Sequence, residues 1–149
     1  MKIKLRVRLI IPFKNKLLLV EDTKNKFWFY PGGKVEYGES IERAIKREIV
    51  EELGEDREFK MDKILFIRDF ILPEKNEHSL ELFILGKLNN YDDLEERTDP
   101  EYNNEHIFRF INIEELPVEL YPQDLTKRIV EGFKNGFEGI KGEYVGNLS

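Results

Sequence analysis

Glu48, Glu51 and Glu52 are the residues whose type and spacing are best suited to chemistry. Apolar residues at positions 41, 45, 49 and 53 recur at the period of a helix, so we expect residues 40–53 to be helical. In such a helix the three carboxylates crowd together at the edge of the apolar stripe. Like charges four residues apart on a helix repel by about 0.2–0.5 kcal/mol, and partial burial disfavours their ionised forms. A hard cation would reverse that penalty, so the sequence predicts that the glutamates face a cleft and bind one.

The ends of this helix are also marked in the sequence. Ser40 is suited to cap the first amide groups, and Glu42 complements the positive end of the helix dipole. We expect Gly54 to end the helix in a left-handed conformation. Before the helix, an aromatic run at 27–30 leads into Pro31-Gly32-Gly33, which predicts a strand followed by a glycine turn. Glycines at such a turn let backbone carbonyls approach a ligand closely.

Length and composition limit the class of protein. The 149 residues, with 40% hydrophobic content, suit one domain spanning 1–149. The net charge of −6 argues against a partner that is a nucleic-acid polymer, because such binding depends on basic surface. There is no cysteine for a disulfide or a thiolate, and the two histidines, His78 and His106, are too few for a typical zinc cage. We expect both histidines to be polar surface groups.

The first ten residues alternate charged and apolar side chains, which predicts a strand and not a signal peptide. No stretch reaches the roughly 20 apolar residues that span a bilayer, so we expect a cytoplasmic protein without membrane contact. The cations of this strand are read as a solvated face, although a phosphate-binding face is the alternative; they are Lys2, Lys4, Arg6 and Arg8. The aromatic run at 27–30 is read as core, with base stacking as its alternative.

The remaining pattern predicts a mixed sheet with helices packed on it. Residues 63–72 and 79–88 read as a hairpin, 107–113 as a strand, and 124–135 as a helix that Gly136 stops. Residues 89–104 are polar, acidic and long for a loop, which favours a functional loop or lid over simple disorder. We expect the last dozen residues, which contain three glycines, to be loosely ordered.

The segment around the helix resembles the Nudix box, G-x5-E-x7-R-E-U-x-E-E-x-G-U, where U is a bulky aliphatic residue. At about 5–7% for each fixed position, a chance match falls below roughly one in a million per start site. Glu55 departs from the closing aliphatic position, and we expect altered packing there without loss of chemistry. The chain is therefore identified as a small, MutT-like member of the Nudix hydrolase superfamily; the matching residues are Gly33, Glu39, Arg47, Glu48, Ile49, Glu51, Glu52 and Gly54.

That resemblance implies an α/β/α sandwich with a mixed β-sheet between helices. It also implies a hydrolase that uses Mg²⁺ or Mn²⁺ and an activated water to split a diphosphate bond in a nucleoside diphosphate linked to another moiety. Hard oxygen ligands select these cations. We expect Glu48 and Glu52 to be the principal ligands, with Glu51 as a further ligand or water contact, and the resemblance adds the Gly32 carbonyl.

The resemblance also implies that Arg47 pairs with Glu39 and holds the loop, including Gly33, against the helix. We therefore treat Arg47 as an orienting residue of the catalytic group. The general base stays open between a box glutamate and a glutamate on a distant loop. Glu105 is the extra carboxylate that we single out, Glu101 is its competitor, and surface charge is the alternative for both.

Two functions from different classes remain. The first is a metal-dependent diphosphate hydrolase whose partner is a small nucleotide, and we favour nucleoside triphosphates, including oxidised forms, by analogy of fold. The second is a module that binds a nucleotide or ADP-ribose without turnover. The intact box favours the enzyme. Nothing in the sequence indicates an oligomeric state.

Overall fold

The computed structural model describes residues 2–149 and contains two helices among nine strands. Short 3₁₀ turns at Pro73–Lys75 and Pro100–Tyr102 complete the regular structure. In chain order the elements are β1 (Lys4–Ile10), β2 (Pro12–Phe13), β3 (Lys16–Asp22), β4 (Phe27–Phe29), β5 (Gly32–Lys34), α1 (Ile41–Leu53), β6 (Phe59–Leu72), β7 (Glu77–Leu88), β8 (His106–Asn112), α2 (Gln123–Lys134) and β9 (Glu143–Gly146).

The strands form two sheets. The larger sheet has the order β5-β1-β7-β6-β9, and it is mixed because β1 runs parallel to β7 while β6 runs antiparallel to it. In the smaller sheet β3 pairs with β2, β4 and β8, all antiparallel. The predicted hairpin is therefore present as β6 and β7, and the first strand lies inside the larger sheet, between β5 and β7.

The two helices lie on opposite faces of the sheets. Alternate residues of a strand point to opposite faces, and on β3 Leu18 and Val20 join the core that includes Ile45 and Ile49 of α1. Leu17, on the other face of β3, joins the core that contains α2. This arrangement confirms the expected α/β/α sandwich with its mixed sheet. The buried residues of the helices are Ala44, Ile45, Ile49 and Leu53 in α1, and Leu125, Thr126, Ile129 and Gly132 in α2.

Helix α1 begins and ends close to the predicted residues. The Ser40 hydroxyl accepts a hydrogen bond from the Arg43 amide at 3.1 Å, so Ser40 is the N-cap. The expectation of a left-handed Gly54 was wrong: its φ of 108° is positive, but its ψ of 157° is extended. That combination is open almost only to glycine, and it directs the chain away from the helix axis while the Gly54 amide still donates to Val50.

The prediction of loose order for the last dozen residues is corrected by the structure. Residues Glu143–Gly146 form β9, which pairs in parallel with β6. The Arg68 side chain donates to the Leu148 carbonyl at 2.5 Å, and the Leu125 amide donates to the Ser149 carbonyl at 2.9 Å. These bonds fix a segment whose glycine content alone suggested mobility.

The acidic loop at 89–104 folds back along β8. Amide to carbonyl bonds join Glu96 to Phe108 at 2.8 Å and Asp99 to His106 at 3.1 Å. The Arg97 side chain of this loop donates to the Glu52 carbonyl at 2.9 Å, so the loop also lies against the end of α1. No helix among residues 2–149 is long and apolar enough to cross a membrane.

The buried Tyr30 hydroxyl gives a test of the packing under α2. It lies 2.7 Å from the Thr126 hydroxyl, which in turn donates to the Pro122 carbonyl, and burial raises the pKa of Tyr30. We predict that Tyr30→Phe lowers the free energy of unfolding by about 1 kcal/mol, because one buried hydrogen bond is lost. Urea unfolding measures this, with the fully exposed Tyr37→Phe as the control. Equal stability of the two variants would contradict this account.

Candidate active site

The glycine pair before α1 allows two close approaches that any side chain would prevent. Gly32 and Gly33 pair with Arg8 and Val7 of β1. Gly32 has a φ of 140°, and a Cβ there would lie 2.1 Å from the Val7 carbonyl oxygen. A Cβ on Gly33 would lie 2.3 Å from a carboxylate oxygen of Glu48. The two glycines therefore hold β5 against β1 and let the Glu48 carboxylate lie directly on β5.

Arg47 ties the loop, β5 and the helix together. Its guanidinium donates to both oxygens of Glu39, at 2.7 and 2.8 Å, which is the expected pairing. It also donates to the Lys34 carbonyl at 2.9 Å and to Glu48 Oε1 at 2.9 Å. The two bonds from Arg47 to Glu39, with a further bond from the Glu36 amide, lower the pKa of the Glu39 carboxyl to about 2. Arg47 thus fixes the position of the Glu48 carboxylate.

Glu48 and Glu52 lie within hydrogen-bonding reach of each other. Burial raises the pKa of the Glu48 carboxyl, although Arg47 works in the opposite direction. Burial also raises the pKa of Glu52 well above its ordinary value, and the nearby Glu48 and Asp99 add to the rise, whereas Arg8 opposes it. Without a cation, the pair therefore favours retaining a proton.

Glu51 is placed differently from its two neighbours. Its side chain is 48% exposed, and one oxygen lies 3.4 Å from Arg47. Within residues 2–149 no three acidic or histidine side chains are gathered as a complete metal cage. The structure brings together two of the three predicted carboxylates and leaves Glu51 at the rim, where its charge still raises the pKa of Glu48.

A cleft of about 1050 Å³ opens over these glutamates. Gly32, Gly33 and the three helix glutamates Glu48, Glu51 and Glu52 line it, together with Glu101. Glu105, our first choice for the extra carboxylate, does not line the cleft, and its backbone carbonyl accepts a bond from the Thr23 hydroxyl at 2.8 Å.

Asp99 is a cleft residue that the sequence analysis missed. It is 8% exposed, and its carboxylate accepts the Glu101 amide at 3.0 Å, which caps the 3₁₀ turn at Pro100–Tyr102. Its charge raises the pKa of Glu52. Only its place in the acidic loop pointed to it, since nothing in the sequence distinguishes Asp99 from its neighbours.

The cations of β1 were read wrongly as a solvated face. Lys4, Arg6 and Arg8 line the cleft, and the partly exposed side chains contact acidic residues of β7. The available signal was that Glu77 and Glu81 are four residues apart, the same spacing as Lys4 and Arg8. Only the parallel pairing of β1 with β7 makes that signal meaningful.

Aromatic groups also reach the cleft. Phe27 and Phe29 line it, although Tyr30 of the same run is core as expected. His106 is not the surface group that we expected, because its side chain is only 15% exposed and lies 3.3 Å from Asp22. Its ring stacks on Tyr102 with centroids 4.1 Å apart. The cleft therefore offers flat apolar surfaces beside its charged groups.

The glycine turn, the Arg47 bonds and the partly buried pair of glutamates all lie in the region of the predicted box. A protein-family model described as the NUDIX domain matches residues 4–131. The chain belongs to the Nudix family. This membership confirms the resemblance drawn from the box, and with it the prediction of a Nudix-type hydrolase.

Solved structures of other Nudix proteins have the same fold. A MutT Nudix hydrolase from Burkholderia pseudomallei is 24% identical, over 88% of this chain and 98% of that chain, with a TM-score of 0.70. An ADP-ribose pyrophosphatase from Streptococcus suis is 22% identical, over 95% and 98%, with a TM-score of 0.68. A UDP-X diphosphatase is 24% identical, over 97% of this chain and 67% of that chain, with a TM-score of 0.68. At these identities the likeness establishes the fold. No curated protein matches the sequence.

Gly33→Ala tests the contact between β5 and the Glu48 carboxylate. The added Cβ displaces a flexible side chain and not backbone, so we expect a folded protein in which Glu48 is misplaced. A shift of about 1 Å costs roughly 100-fold in turnover. The control is Glu55→Gln, because Glu55 is exposed and does not line the cleft. Rates measured with the best nucleotide substrate decide the matter, and an unchanged rate in Gly33→Ala argues against the contact.

The raised pKa values of Glu48 and Glu52 predict how stability depends on pH without metal. Each carboxyl is more readily protonated in the folded state than at its ordinary pKa of 4.5. Their stabilising contribution is therefore full below pH 4.5 and lost as pH rises through the folded-state pKa. Urea unfolding at a series of pH values, with a chelator present, measures this change in the free energy of unfolding.

Glu52→Gln removes the repulsion without changing the shape of the side chain. We expect the free energy of unfolding of this variant to exceed that of the parent protein as pH rises, while the exposed Glu55→Gln tracks the parent. If the free energy of unfolding changes with pH in the same way in the parent protein, Glu52→Gln and Glu55→Gln, then Glu48 and Glu52 do not repel each other.

Proposed function

We propose that this Nudix protein hydrolyses a diphosphate bond in a nucleoside diphosphate linked to another moiety, with Mg²⁺ or Mn²⁺ and an activated water, and that its substrates are nucleoside triphosphates, including oxidised forms. The observation that carries the proposal is the partly buried pair of Glu48 and Glu52, which line the cleft together. Two carboxylates that repel each other in a site open to a ligand are stabilised most by a divalent cation.

The donor set fits Mg²⁺ or Mn²⁺. Glu48 and Glu52 would hold the cation, while Glu51 and the Gly32 carbonyl line the same cleft and would add oxygen ligands directly or through water. All of these donors are hard oxygens, and the site lacks the thiolates and multiple histidines that select zinc. Magnesium also keeps several waters when few carboxylates bind it, so an incomplete cage suits it.

A bound cation of this kind neutralises phosphate charge and lowers the pKa of a coordinated water. The protein's own groups supply orientation. Arg47 holds Glu48 through a bond of 2.9 Å and is itself held by both oxygens of Glu39. The acceptor of the proton from water belongs among the cleft carboxylates, so we favour a box glutamate or Glu101 over Glu105.

Several nucleotides deserve testing as substrates. One structural neighbour is named an ADP-ribose pyrophosphatase and another a UDP-X diphosphatase. The panel therefore contains nucleoside triphosphates, their oxidised forms, ADP-ribose and a UDP-sugar, each with Mg²⁺ and with chelator. Metal-dependent release of phosphate or pyrophosphate supports the proposal. Tight binding of a nucleotide without turnover would instead favour the module that binds without catalysis.

Glu52→Gln is the sharpest change at the proposed centre. It removes a ligand charge with little change of shape, so we predict a loss of about 100-fold or more in turnover, or about 2.7 kcal/mol in the barrier. The parent protein should gain thermal stability when Mg²⁺ is added, because a cation that binds only the folded state shifts unfolding. The variant should lose that gain.

Glu55→Gln is the matched control, because Glu55 lies just beyond α1 and is exposed. It should keep both the rate and the Mg²⁺-dependent stabilisation. A near-normal rate in Glu52→Gln would refute the role of that residue.

A further inference from the structure

The wall of the cleft that runs along β1 carries a row of cations, which we call the basic row: Lys4, Arg6 and Arg8 of β1 with Arg68 of β6. Strand β7 lies between them, because Arg6 and Arg68 both pair in register with Glu81. The β1 cations alternate with Val7 and Leu9, which belong to the core under α1. The basic row therefore occupies the opposite face of the sheet.

Two carboxylates of β7 anchor the row from beneath. Glu81 is 4% exposed, and it accepts hydrogen bonds from Arg68 and, at 3.4 Å, from Arg8. Glu77 lies 3.1 Å from Lys4 and 3.6 Å from Arg6. Buried acceptors hold long cationic side chains in place, so the row is ordered before any ligand arrives.

The row keeps an excess of positive charge. Four cations contact only two carboxylates, which leaves two positive charges uncompensated. The side chains of Lys4, Arg6 and Arg8 are 34%, 25% and 20% exposed, whereas that of Glu81 is 6% exposed. Glu81 also lines the cleft, but it presents less surface there than the three β1 cations do, and Glu77, at 19% exposed, does not line the cleft. In a protein of net charge −6 this local excess runs against the overall field, which is what binding an anion requires.

The row begins at the glutamate pair and extends away from it. Arg8 pairs with Gly32 in the sheet and lies close enough to Glu52 to favour its ionised form. Residues two apart on a strand are separated by about 6.6 Å, so Arg6 lies about 7 Å beyond Arg8 and Lys4 about 13 Å beyond it. An anionic group held between the glutamate pair and Arg8 leaves Arg6 and Lys4 available for another.

We propose that Arg6 and Lys4 bind a second anionic group of the substrate, a phosphate outside the hydrolysed bond. This inference rests on the proposed function and narrows it to nucleotides that carry a further phosphate. Arg6 is the main contact, because its Nε bonds to the Ser79 hydroxyl at 3.3 Å and its Nη2 lies no closer than 3.6 Å to Glu77, so the terminal nitrogens can still form charge-assisted bonds with phosphate oxygens. Glu81 is a positioning residue that orders Arg8 and Arg68.

Binding without metal tests the site apart from catalysis. Inorganic tripolyphosphate and pyrophosphate are titrated calorimetrically in chelator into the parent protein, Arg6→Gln, and the control Lys60→Gln, whose exposed residue on β6 does not line the cleft. We expect Arg6→Gln to weaken tripolyphosphate binding about tenfold, the effect of one lost charge-assisted contact. Pyrophosphate should be affected less. Arg6→Lys keeps the positive charge but lacks the planar guanidinium. Its affinity for tripolyphosphate should lie between those of the parent protein and Arg6→Gln.

Steady-state kinetics test whether the anion that Arg6 binds is a phosphate of the substrate. Arg6→Gln should raise KM about tenfold for a nucleoside triphosphate with little change in kcat, and leave ADP-ribose, which carries only the diphosphate, nearly unaffected. If nucleotides are hydrolysed but Arg6→Gln behaves like Lys60→Gln in both assays, the inference is overturned. If no nucleotide is hydrolysed while Arg6→Gln still weakens tripolyphosphate binding, the anion site stands and the proposed function fails.

Discussion

Repulsion between two carboxylates held together against their preference is the interaction on which the site depends. Glu48 cannot move toward β5, because it already lies on Gly33, and Arg47 fixes one of its oxygens at 2.9 Å. Glu52 is partly buried beside it, one helical turn away. The fold therefore holds Glu48 and Glu52 together at an unfavourable local free energy, which the packing of α1 in the core offsets. In the proposed function, a bound divalent cation would relieve this repulsion.

The two sheets make that arrangement possible. The parallel pairing of β1 with β7 brings the start of the chain against a strand more than 70 residues away, and β5 then adds to the other side of β1. One strand thereby supports both the glycine turn and the cations of the basic row. The cleft acquires an acidic end and a basic wall from neighbouring residues. That polarity suits a ligand whose phosphates need metal at one end and arginine along the chain.

The sequence predicted most features that follow from local residue spacing and few of those that depend on which strands pair. Helix α1, its Ser40 cap and the pairing of Arg47 with Glu39 follow from spacing and from the box, and the structure contains all three. The positions of Arg6 and His106 were misread, because alternation along one strand does not say which face meets a cleft and which meets water. Asp99 was missed since only the fold of the acidic loop brings it near Glu52.

Calorimetric titration of Mn²⁺ in buffers of different ionisation enthalpy tests the central claim most directly, because it counts protons as well as cations. The account predicts that the parent protein takes up Mn²⁺ near neutral pH and releases protons as the shared carboxylates give way to metal. Glu52→Gln should bind far more weakly and release fewer protons. Absence of uptake by the parent protein, or uptake unchanged by this substitution, would contradict the claim that Glu48 and Glu52 form the metal site.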